Sequence, residues 1–317
     1  MNVVQKFFVA AARHGRGLLV AGLTAGIAFP ELALAMKPWL PLLVSALLFL
    51  AALRVGPRQA FGVARDLPVS AGIAIFYQIV MPVTAILVMM IFGWLSYPVA
   101  AALVLMLSAS PISGNANLTI MTGHDPAPAL RLMIIGTALL PLTVIPPLSL
   151  VPELGSIQEV IEAAIRLMGV IAAAAILGFC LRHFLIPNPT PDGIRILDGI
   201  SAITMAIVVI GLMSAVGPAI FSEPGRFLYW LGVACLANLG LQVLMVSVLR
   251  YSRFRQQRVA YAISAGNRNI ALFLVALPQD VTDPLLLFIG CYQIPMYLTP
   301  ILLGKIYGSV ETESQPE

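Results

Sequence analysis

Gly114-Asn115-Ala116-Asn117-Leu118 returns 152 residues later as Gly266-Asn267-Arg268-Asn269-Ile270. Both stretches interrupt long apolar runs. The first follows Ser108, Ser110-Pro111 and Ser113; the second follows Ser264. Further on, Pro141 and Pro146 are answered by Pro295 and Pro300, and Asp125-Pro126 by Asp283-Pro284. A lone Gly-Asn-x-Asn carries little information, but its recurrence at matched places in two halves of a chain points to an internal repeat. Neither stretch suits a helix interior. Proline lacks a backbone donor, and Gly, Ser and Asn favour caps and turns. The plain alternative is a pair of kinked packing helices with hydrogen-bonded asparagines. Their repetition favours a site.

The surrounding composition says what solvent these breaks sit in. The chain has 317 residues, 60% of them hydrophobic and 10% charged, with a mean hydropathy of +0.96. Soluble domains carry about 25% charged residues. So few charges cannot cover a water-exposed surface, whereas lipid removes that requirement. Non-helical backbone at membrane depth is tolerated only where it is buried in protein or lines a wet cavity. Cys180, Cys235 and Cys291 have neither metal-ligand nor disulfide-framework spacing. His14, His124 and His183 stand at the ends of apolar stretches and form no metal motif. The net charge of +4 is better explained by topology than by nucleic acid.

A spanning helix needs about 20 apolar residues. Ten such runs are predicted, near 17–34, 38–54, 68–92, 97–122, 127–150, 158–181, 195–217, 227–249, 258–277 and 284–306. Lys6, Arg13 and Arg16 ahead of Ala33-Leu34-Ala35 resemble a secretory signal. That reading is rejected because each half needs five helices. Gly22 and Gly26 in the first span form a GxxxG pair suited to close helix approach. With both termini cytoplasmic, fourteen of the 18 Lys and Arg fall inside, Arg65 among them, and only Lys37, Arg166 and Arg226 outside. An odd number of spans per half inverts the second half relative to the first, the build of many secondary transporters. The expectation is an all-α polytopic protein of the cell (inner) membrane. It comprises one inverted repeat over 1–156, a second over 157–308, and a disordered polar cytoplasmic tail at 309–317. Helices 4 and 9 should be broken and crossed.

At these residues the chain resembles the bile acid:sodium symporter family, across all ten predicted helices. Ser110-Pro111-Ile112-Ser113-Gly114-Asn115-Ala116-Asn117 is similar to the family's fourth-helix Pro-Gly-Gly-Thr-Ala-Ser-Asn. Ala265-Gly266-Asn267-Arg268-Asn269-Ile270-Ala271-Leu272 is similar to its ninth-helix Gly-Met-Gln-Asn-Ser-Gly-Leu. Gln78 and Met81-Pro82 resemble its third-helix Gln and Met-Pro. The resemblance implies a core domain of helices 3–5 and 8–10 and a panel domain of helices 1, 2, 6 and 7. It also implies sodium-coupled uptake of organic anions. At the ligand positions so implied, Asn117 is kept. Ala116, Leu130, Ile134, Ser264 and Arg268 replace the other oxygen-bearing residues, and Tyr77 stands where the third-helix glutamine is expected. Hard cations want several oxygen ligands, so no cofactor is expected here, sodium being implied by the family alone.

Arg268 lies ten residues beyond Arg258, roughly 15 Å of helical rise and half of a hydrocarbon core about 30 Å thick. An arginine there costs about 2.5–3.5 kcal/mol on insertion scales, and an intramembrane charge is a functional hypothesis by default. The expected site is Ser113, Asn115, Asn117, Asn267, Arg268 and Asn269, with Ser110, Ser264, Gln78 and Gln293 behind it. Arg268 would supply in fixed form the charge that sodium supplies in the family and attract an anionic substrate. The asparagines would satisfy its other donors or orient the substrate. The alternative is a structural arginine bonded to carbonyls of the unwound segment. The function expected is secondary transport of a small organic anion, without nucleic acid as a partner. A transporter-derived sensor is the second reading. An enzyme ranks third, because no nucleophile–base pattern, metal motif or phosphate-cradling loop is present.

Overall fold

The computed structural model describes residues 3–62 and 67–308. The tail expected at 309–317, and Arg65 of the expected basic side, lie outside the described residues. Among those described, every regular element is helical. Seven helices are long and apolar enough to cross a membrane: Pro30–Arg58, Leu67–Ile91, Ala127–Ser149, Ile157–Phe184, Pro191–Ser222, Pro224–Leu249 and Gln279–Tyr307. Gly17–Ala28 and Pro98–Ser108 are shorter apolar helices. Large apolar side chains such as Phe184, Leu236 and Ile301 are about three-quarters exposed, an arrangement that acyl chains solvate and water does not. The chain is a multi-pass α-helical membrane protein.

The first expected boundary is corrected. The helix through Gly22 and Gly26 ends at Ala28, not near residue 34. Proline disfavours helical backbone in the residue before it. Phe29 accordingly turns out (φ −122°, ψ 77°), and Pro30 opens the next helix at the position where its missing N–H costs nothing. That next rod runs on past the expected end at 54, bending at Gly56 (φ 71°) before Pro57. Residues Val3–Arg13, assigned to no element from the sequence, are helical and pack against the 191–212 helix.

Two groups of helices pack among themselves. The 40–62 helix lies along the 157–184 helix, and the 191–212 helix lies against the 15–28 and 40–62 helices. The GxxxG face does what small residues allow: a Cβ on Gly22 would sit 2.6 Å from the Ala206 carbonyl oxygen, and one on Gly26 2.7 Å from Met213 Cβ. In the other group, helix 67–75 packs on 127–143, helix 224–235 on 286–307, and helix 241–249 on 258–266. Ion pairs mark the two ends of the bundle. At one, Arg54 Nε meets Asp198, close to where Arg182 lies against Gly56. At the other, Lys37 Nζ is 2.8 Å from Asp283.

Candidate binding site

Both predicted breaks are present, and they meet. The Pro98–Ser108 helix stops at Ala109 (φ −68°, ψ 151°), two residues ahead of Pro111, and helix resumes only at Asn115. The Arg258–Gly266 helix stops at Asn267 (φ −97°, ψ 94°) and resumes as a tight turn at Ile270–Leu272 that leads into the short helix Phe273–Ala276. The unwound strands pair antiparallel at Pro111 and Arg268. Ile112 N donates to Asn267 O (3.2 Å), and Asn269 N donates to Ser110 O (2.8 Å). Asn115 Nδ2 adds a third bond to Asn267 O at 3.2 Å. Backbone groups that lipid would leave unpaired are therefore satisfied by the opposite break.

Arg268 sits at the centre of this crossing, 1% exposed. Its Nε donates to Ala265 O at 2.7 Å and its Nη1 to Ala109 O at 2.9 Å. The guanidinium carbon lies 4.8 Å from the centre of the Tyr77 ring. Nη2 is buried with no acceptor. Among the described residues no carboxylate pairs with it. Of the two roles expected for Asn115, Asn117, Asn267 and Asn269, taking its donors is corrected. Two main-chain carbonyls, one from each broken helix, and an aromatic face hold the cation instead. Hydrogen bonds to a charged group contribute about 1.5–3 kcal/mol each, and a desolvated cation–π contact about 2. None of these contacts neutralises the charge.

Two π-helical turns flank the crossing. One is Phe76–Val80, the other Leu236–Gly240. Such a turn inserts a residue and re-aims its neighbours. In the first, Tyr77 faces Arg268 while Gln78 Nε2 donates to Gly136 O (2.9 Å) and its Oε1 accepts from Thr143 (2.7 Å). In the second, Asn238 Nδ2 donates to Gly266 O (2.7 Å) and to Asn267 Oδ1 (2.9 Å). Gln242 Nε2 continues the network to Asn238 Oδ1 and Thr299 Oγ1, and Tyr307 Oη donates to Gln242 Oε1 at 2.6 Å. Tyr292 Oη donates to Gly266 O. Tyr307→Phe leaves a buried amide oxygen without its donor, which costs about 1–3 kcal/mol. A clear fall in the thermal midpoint of the detergent-purified variant is the expected result, checked by tryptophan fluorescence.

A cavity of about 520 Å³ opens beside the crossing. Its polar lining is Ser113, Thr137, Arg268, Asn269, Gln293 and Tyr297; the rest is apolar, contributed largely by both groups of helices. The lining follows the 40–62 helix from Val44 to Ala60. The space therefore runs from the crossing toward the end of the bundle marked by Arg54 and Asp198. Arg268 borders it from behind the wall, being almost inaccessible itself. Its influence on an occupant is a field: at ~6 Å and an effective dielectric of ~20, a unit charge contributes about 3 kcal/mol.

Of the sequence-predicted residues, the cavity brings together Ser113, Arg268, Asn269 and Gln293. It does not include Asn115, Asn267 or Ser264, all of them buried; Asn115 and Asn267 brace the crossing, while the Ser264 hydroxyl makes no hydrogen bond among the described residues. Asn117 is exposed in the first turn of the resumed helix and lies outside the cavity, because helical register carries it away from the crossing. Ser110 touches the cavity only through the Thr137 hydroxyl, 3.3 Å away, and Gln78 is consumed by Gly136 and Thr143. Tyr77, Thr137 and Tyr297 were missed. Tyr77 was legible only as the occupant of the expected third-helix glutamine position. No protein-family model matches the chain, and no curated protein matches it. Chemically, the arrangement is an apolar chamber with one unneutralised positive charge in its wall and a few hydroxyl and amide groups to orient an occupant.

Proposed function

We propose that this chain is a secondary transporter of an amphipathic organic anion, working by alternating access. The observation that carries the reading is Arg268, an uncompensated cation at the meeting point of two broken helices, bordering a largely apolar cavity. The proposed architecture is ten spans in two inverted five-helix repeats, with both termini cytoplasmic. The seven long helices, the shorter rod 17–28, and the two broken elements, 98–121 and 258–276, supply the segments. Support for the repeat comes from paired features. Each half has one broken helix, one π-turn, and one buried glutamine bonded to a threonine: Gln78 with Thr143, and Gln242 with Thr299. A core of helices 3–5 and 8–10 moving against a panel of helices 1, 2, 6 and 7 is the proposed motion, as in the bile acid:sodium symporters that the chain resembles.

The donor set argues against sodium coupling. A guanidinium stacked on Tyr77 repels a cation, and Leu130, Ile134 and Ala116 offer no side-chain oxygen. The fixed charge of Arg268 does the ion's electrostatic work, while Asn269, Ser113 and Gln293 are the groups placed to orient a carboxylate or sulfonate.

The test is uptake into proteoliposomes of a panel of radiolabelled carboxylates and sulfonates, bile acids included, under imposed sodium, proton and anion gradients. Saturable uptake of at least one monoanion without sodium is the expected outcome. Strict sodium dependence would overturn the assignment of Arg268. Binding of the same anions with no flux would mark a sensor instead.

A further inference from the structure

A second basic site lies away from the crossing, where the 224–249 helix ends and the 258–266 helix begins. Arg250, Arg255 and Arg258 line a cleft of about 420 Å³ with Val246, Tyr251 and Ile306. None of the three guanidiniums forms an ion pair among the described residues. Two are held in place by uncharged partners. Arg250 lies 4.9 Å from the centre of the Tyr251 ring, and Arg258 Nη1 donates to Arg255 O at 3.0 Å. Nearby His124 adds no further positive charge near neutral pH: burial, aided by Arg258, holds it below the ordinary histidine range.

A general bias of basic residues toward one membrane face needs neither a cleft nor converging side chains. Here three forks face one space, and arginine forks match phosphate oxygens in geometry. The cleft also has a distinctive border. Val248, Leu302 and Ile306 are about half exposed on the two helices that bound it, and Tyr251 is 82% exposed at its mouth. Tyrosine at this position belongs at headgroup level, with acyl chains beside the apolar surface. Basic pockets at the ends of membrane helices take anionic headgroups for this reason.

We propose that the cleft bounded by Arg250, Arg255 and Arg258 binds the phosphate of an anionic phospholipid whose acyl chains lie against Val248, Leu302 and Ile306. The full chain, purified in a neutral detergent, is titrated with phosphatidylglycerol or phosphatidylcholine, and bound lipid is counted by native mass spectrometry. Phosphatidylglycerol is expected to bind at least tenfold more tightly. Affinity should fall about fivefold for each of Arg250→Gln, Arg255→Gln and Arg258→Gln, the ratio corresponding to ~1 kcal/mol per basic residue at an anionic surface. Arg195→Gln and Arg226→Gln, at exposed arginines elsewhere, should change nothing. Equal binding of the two lipids by the unmodified protein would overturn the proposal and needs no variant. So would displacement of the lipid by millimolar inorganic phosphate, which would mark a free-anion site. Unchanged lipid binding by folded cleft variants would do the same.

Discussion

Replacing Arg268 with glutamine is expected to weaken anion uptake about a hundredfold, the ratio equivalent to the ~3 kcal/mol that a unit charge contributes across the cavity wall. The loss has two components, and the lysine variant separates them. Arg268→Lys keeps the charge but cannot span Ala265 O and Ala109 O or stack on Tyr77 as a plane. If the field is what an anion senses, the lysine variant retains uptake within about tenfold of the parent, while glutamine does not. A merely bracing arginine gives the opposite pattern. Both variants would then lose thermal midpoint alike, and whatever folded protein remained would take up anions normally. Uptake per folded molecule, measured beside the melting curve, distinguishes the two.

Gly266→Ala is expected to disrupt the crossing with a single added methyl group. The added Cβ would lie 2.3 Å from Gln242 Cγ and 2.4 Å from the Asn238 carbonyl oxygen. Neither neighbour can yield cheaply. Asn238 sits in a π-turn with its side chain bonded to Gly266 O, and Gln242 is tied to Asn238, Thr299 and Tyr307. Overpacking usually costs about 1–3 kcal/mol. A clash against backbone beside a buried polar network belongs at or above the top of that range. The expected result is loss of the monodisperse detergent-solubilised species on size exclusion. Gly304→Ala is the matched control: its Cβ would meet nothing within 4 Å, and alanine favours helix over glycine by about 1 kcal/mol. Equal behaviour of the two variants would remove close backbone approach as the reason for glycine at 266.

What could be read from the residues follows from which interactions leave a mark on residue type. Pro111, Gly266 and the clustered asparagines advertise unwound backbone, because proline withdraws a donor and the others compete with the helix for hydrogen bonds. The crossing was therefore legible. That carbonyls of the unwound segment hold Arg268 was the alternative reading; which residues supply them was not legible, because Ala265 and Ala109 act through a group that every residue possesses. The asparagines were overvalued for the matching reason. A side chain able to bond an arginine bonds backbone equally well, and Asn115 does so with Asn267 O. Register past an unwound stretch was also hidden, which is how Asn117 came to be expected at a cavity that it does not line. The displaced first boundary has a simpler origin: hydropathy is continuous through Phe29-Pro30, and only the steric demand of proline on the preceding residue ends the helix there.

The two ladder bonds at Pro111 and Arg268 rivet the broken elements to each other, so neither can slide alone. On the proposed mode of transport they travel as one block, and the arginine travels with them. An empty carrier would then shift a positive gating charge through part of the electric field, at about 2.3 kcal/mol per elementary charge for each 100 mV fully crossed. A loaded carrier, its monoanion beside the guanidinium, would move no net charge. Voltage should therefore act on the return of the empty protein and leave the loaded step almost untouched.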